Sequence, residues 1–134
     1  MPFFGREGPW DLDDWPWQHG RVRVLPVLHG SFELTRCVRA HLDHWRPDVV
    51  IVEVPGPAEE AWREAVSRLP RIQAVQIELT QGTRWLLVEP VDPLCEAGRW
   101  AVERGRRVVA GDLLVADYPE QRERFPDTAV IPRI

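Results

Sequence analysis

Asp48-Val49-Val50-Ile51-Val52-Glu53-Val54-Pro55-Gly56-Pro57 is a β-branched run that closes on an acid and is cut off by proline and glycine. A run this apolar, without polar alternation, reads as a strand buried on both faces of a parallel sheet. Upstream, residues 22–28 have the pattern of a second strand. His29-Gly30-Ser31 follows, and then a helical run over residues 32–45 in which Leu34, Val38, Leu42 and Trp45 share one face. Ser31 stands where it can cap the unpaired N–H groups of that helix, and Pro47 stops it. Downstream, residues 58–69 read as an amphipathic helix. Residues 72–79 and 84–88 read as a hairpin about the polar turn Thr80-Gln81-Gly82-Thr83. Pro93 opens a third helix that ends near Gly105, residues 108–112 form a short buried strand, and a helical turn over 119–125 precedes the apolar stretch 129–131. This alternation predicts an α/β fold: a largely parallel sheet with helices on both faces and one hairpin inserted.

The 134 residues suit a single domain, expected over 21–134. With 44% hydrophobic residues and a net charge of −4, the chain lies outside the composition of disordered proteins. Residues 1–20 differ in texture, carrying Phe3, Phe4, Trp10, Trp15 and Trp17 among Gly, Pro and Asp with no period. They read as an irregular aromatic arm that either covers the domain's own surface or docks another chain. All 17 positive side chains are arginine, so neither a P-loop lysine nor a Schiff-base lysine is available. Mild acidity without a basic cluster argues against nucleic acid as a partner. Cys37 and Cys95 have no metal-ligand or disulfide-framework spacing. Met1-Pro2-Phe3-Phe4-Gly5-Arg6-Glu7 lacks the charged and apolar regions of an export signal, and no run is long enough to span a bilayer, so the expectation is a cytoplasmic protein with no membrane partner.

In parallel α/β sheets, ligands bind beyond the carboxyl ends of the strands. His29, Glu53 and Asp112 each follow an apolar strand and are expected at that edge. One imidazole and two carboxylates make a nitrogen and oxygen donor set suited to a divalent metal such as zinc, manganese or iron. The same residues also have ordinary duties: His29 satisfying a turn, Glu53 pairing with an arginine, Asp112 capping a loop. His41 and His44 sit near the end of the first helix, where cations complement the dipole, and His19 falls in the arm. Glu89 and Glu96 flank Pro90 and Pro93, as a further ligand or as charges of a helix's first turn. The two serines offer little for serine chemistry, since Ser67 reads as helix surface and no nucleophile elbow frames Ser31.

Leu25-Pro26-Val27-Leu28-His29-Gly30-Ser31 followed by Arg46-Pro47-Asp48-Val49-Val50-Ile51-Val52-Glu53 resembles the start of the TraB/TIKI and ChaN/erythromycin-esterase-like superfamily. The nearest likeness is to a bacterial branch found beside MoxR-type ATPases and von Willebrand A proteins. Glu89-Pro90-Val91-Asp92-Pro93-Leu94-Cys95-Glu96 and Gly105-Arg106-Arg107-Val108-Val109-Ala110-Gly111-Asp112-Leu113 extend the resemblance to roughly residues 22 to 115. It implies an α/β fold and metal-dependent hydrolysis or ligand binding at His29, Glu53 and Asp112. Pro26 replaces the family's motif glycine, Gly30 follows His29 where the branch has tandem histidines, and Leu113 stands for an arginine. The chain is read as a short, reduced member.

Two functions follow as expectations. In the first, the domain is a metal-dependent hydrolase in which His29, Glu53 and Asp112 hold the metal and Glu53 or Asp112 takes the proton of its water. In the alternative, it is a non-catalytic assembly or scaffold subunit, a homo-oligomer or a partner's subunit, docked through the aromatic arm.

Overall fold

The expected first helix forms over its full predicted span in the computed structural model, which describes residues 18–80 and 82–113. This helix, α1 (Phe32–Trp45), is started by Ser31, whose Oγ accepts from Leu34 N at 3.3 Å, and ended by Arg46 in the left-handed region at φ 52°. Ahead of it, β1 (Gln18–His19) and β2 (Val22–Arg23) form a minimal antiparallel pair. Then come β3 (Val49–Pro55), a single 3-10 turn (Gly56–Ala58), α2 (Glu59–Ser67), β4 (Gln73–Leu79), β5 (Gly82–Val88), α3 (Pro93–Glu103) and β6 (Arg107–Asp112).

The protein mixes helices and strands, as expected, but its sheets are small. Among the described residues β3 and β6 make one parallel pair, while β1–β2 and β4–β5 are antiparallel. The expected strand over 22–28 is present only as β2. Pro26 has no N–H to give a ladder, and Val24 and Leu28 face solvent while Leu25 and Val27 rest against the core. β3 alternates, with Val50, Val52 and Val54 buried and Val49 and Ile51 exposed, so it is not covered on both faces by the described residues. The hairpin closes more tightly than expected, with Leu79 facing Gly82 across a two-residue turn.

Helix α3 organises the core. It lies against α1 and α2 and rests on β3 and β6. Trp100 and Ala101 on α3, Val66 on α2 and Val88 on β5 are fully buried. A buried valine such as Val66 or Val88 contributes about 1.5–3 kcal/mol relative to exposure. Because β3 and β6 are parallel, with Pro55 opposite Asp112, their carboxyl ends share one edge. The helical turn expected over 119–125, the apolar stretch 129–131 and nearly all of the aromatic arm lie outside the described residues. Among the described residues no helix is long and apolar enough to cross a membrane.

Candidate functional site

Two helix starts meet around His29. Gly30, at φ 72°, turns the chain so that Ser31 N reaches Leu28 O at 3.4 Å, a conformation that favours glycine, and α1 begins at once. The Thr35 hydroxyl in its first turn is shared between Ser31 O at 2.8 Å and Val91 O at 2.7 Å, which ties α1 to the loop that opens α3. In that loop Asp92 caps α3, its Oδ1 accepting from Leu94 N at 2.9 Å. Its Oδ2 accepts from His29 Nδ1, also at 2.9 Å. The carboxylate is only an acceptor, so Nδ1 carries the proton in this bond. Asp92 is buried at 7% exposure, whereas the His29 side chain is 58% exposed. The arrangement is therefore a rigid, buried carboxylate holding a solvent-facing imidazole.

Glu53 and Asp112 do reach the shared carboxyl edge of β3 and β6, yet they part company there. Glu53 is exposed, in step with Val49 and Ile51, while Asp112 is half-buried and in step with Val108 and Ala110. Among the described residues no three His, Cys, Asp or Glu side chains converge as a metal-holding group. Sequence reading missed Asp92, although Asp92-Pro93 is a strong helix-start signal: an N-cap acid before a proline in the first turn. Its pairing with His29, 63 positions away, has no local signature.

The other candidates have structural roles. Ser31 is a cap, and Ser67 Oγ donates to Glu64 O at 2.6 Å. Glu96, in the first turn of α3, takes a 2.8 Å ion pair from Arg39, and Glu89 O accepts from Asp92 N at 3.3 Å. His19 is exposed on β1. His44 lies in the last turn of α1, but His41 is not a cation there: it is 1% exposed, and burial, helped by Arg23 and His44, pulls its pKa down to about 4. Both cysteines are buried thiols, and burial together with Asp92 pushes Cys95 up to about 12.

Beside this pair runs a cleft of about 570 Å³. One wall is the extended segment from Val22 to Val27, the other β3 from Val49 to Glu53, and Val38, His41 and Trp45 of α1 lie between. Pro93 and Leu94, directly after Asp92, close it. No family model, curated protein or solved structure matches the chain.

Proposed function

We propose that the chain is a hydrolase-like domain of the TraB/TIKI and ChaN/erythromycin-esterase type whose working pair is His29 and Asp92. The observation that carries the reading is the 2.9 Å bond from His29 Nδ1 to Asp92 Oδ2, with Asp92 itself held by Leu94 N. In this reading His29 Nε2 takes a proton from water. The hydroxide attacks an electrophilic carbonyl or phosphoryl centre, and the imidazolium returns the proton to the leaving group. Asp92 keeps the imidazole in the required tautomer and stabilises its cationic form. Neither Glu53 nor Asp112 joins that step, and the chemistry rests on the chain's own side chains.

The test is hydrolysis of p-nitrophenyl esters and phosphates by the full chain, by His29→Gln and by Asp92→Asn. Activity should fall about 10²-fold or more in His29→Gln. Turnover unaffected by His29→Gln, or none above buffer with any probe, overturns the reading.

A second reading, an assembly subunit, is favoured by one observation: Ile72 and, on β5, Trp85 and Leu87 are more than half exposed. Large apolar side chains so placed suit a homo-oligomer or a partner protein. Native mass spectrometry of the full chain separates the two readings, since a strict monomer at micromolar concentration removes the homo-oligomer.

A further inference from the structure

Arg23 is the odd residue of the cleft. Its Nε is buried without a hydrogen-bond acceptor, and its guanidinium lies over the Trp45 ring, 5.1 Å from the centroid. Other arginines, such as Arg39, Arg104 and Arg106, are matched to carboxylates; Arg23 has an aromatic face and, among the described residues, no ion pair. Arg23 is half-buried, and an enclosed Nε–H without an acceptor is unfavourable; here it stands in a cleft whose walls are mostly valine and leucine. His41, beside it on the cleft wall, is neutral at ordinary pH and so adds no charge. The acid of the cleft, Glu53, lies at the far end of β3, about 13 Å of extended chain from Val49. The cleft is therefore cationic at the end marked by Trp45 and apolar along its length.

We propose that this cleft binds a small amphiphile with a single carboxylate, the anion held by Arg23 and the apolar body lying between residues 22–27 and β3. Its volume is within the range of small-molecule sites. A carboxylate matches a guanidinium's paired donors, and the Trp45 face holds that guanidinium in one plane. Binding in this form does not depend on hydrolysis, and it goes beyond the reading built on His29.

The experiment is calorimetric titration of the full chain with decanoate, decanol and decyltrimethylammonium, each below its micelle concentration. Decanoate should bind one per chain, at least tenfold tighter than decanol, with decyltrimethylammonium weakest. Arg23→Met should abolish the preference of decanoate over decanol, and Arg23→Lys should retain part of it. His29→Gln should bind decanoate as the parent does, which separates this proposal from the hydrolase reading. If Arg23→Met does not fold, the three-ligand order and Arg23→Lys still decide. Equal binding of decanoate and decanol, an undiminished preference in Arg23→Met, or no binding of decanoate overturns the proposal.

Discussion

Asp92 divides its carboxylate between its own helix and His29: Oδ1 accepts from Leu94 N and Oδ2 from His29 Nδ1, each at 2.9 Å. The two duties separate by substitution. Asparagine caps helices about as well as aspartate, so Asp92→Asn should leave stability within about 0.5 kcal/mol, whereas Asp92→Ala should lose about 1 kcal/mol through the missing cap. Denaturant unfolding of both variants checks this. Equal losses would show that the bond with His29, rather than the cap, is what the fold needs.

His41 makes stability depend on acid. In the unfolded chain its imidazole titrates near 6.5, but in the fold only near 4, because burial and the cations Arg23 and His44 oppose the charge. Between those values the unfolded state binds the extra proton, so acid favours unfolding. Stability from this group is complete above pH 6.5 and is lost as pH falls to about 4, by roughly 3 kcal/mol in total. Urea unfolding at stepped pH should show that slope, and His41→Leu should flatten it. An unchanged slope in His41→Leu would assign the acid sensitivity to other groups.

These two histidines show what the sequence could and could not tell. The span of α1 was legible because its start, face and stop are local: Ser31, the Leu34, Val38, Leu42 and Trp45 stripe, and Pro47. The same stripe did not reveal that His41 is enclosed, since that depends on the segment bearing Arg23 folding back over α1. The alternation of strands and helices made a parallel pair legible, and with it a common edge for Glu53 and Asp112, but not that β3 would pair with β6. Which face each acid takes did not, because a strand made almost wholly of valine and isoleucine hides its own alternation. Residues 22–28 failed as a strand for the opposite reason: hydrophobicity was present, but Pro26 interrupts the hydrogen-bonding edge.

Gly98 exists to admit Trp62. A Cβ on this α3 residue would overlap the indole, with Trp62 Cζ3 only 2.7 Å away, and Trp62 is itself 2% exposed and hemmed in by the core. In an isolated helix alanine is favoured over glycine by about 1 kcal/mol, but here the overlap outweighs that preference. Gly98→Ala should therefore destabilise by about 1–3 kcal/mol. The compensated pair Gly98→Ala with Trp62→Leu should recover part of the loss. A stabilised Gly98→Ala would mean that α2 and α3 move apart without cost.

Arg39 offers the last test, because it joins two acids of α3 to α1 with one guanidinium. Its Nη1 lies 2.8 Å from Glu96 Oε1 and its Nη2 2.9 Å from Glu103 Oε2. Glu103 is also held by Arg99 at 2.9 Å; burial works against its ionisation, but these bonds outweigh it and lower its pKa. Glu96 has no such second partner among the described ion pairs and is 8% exposed. Arg39→Met should thus act mainly through Glu96, stranding a buried carboxylate at a cost of about 1–3 kcal/mol. Adding Glu96→Gln removes the stranded charge and should restore more than half of the loss, while adding Glu103→Gln should restore little. A double-mutant cycle by denaturant unfolding measures both; recovery with Glu103→Gln instead would move the helix-to-helix tie to the exposed end of α3.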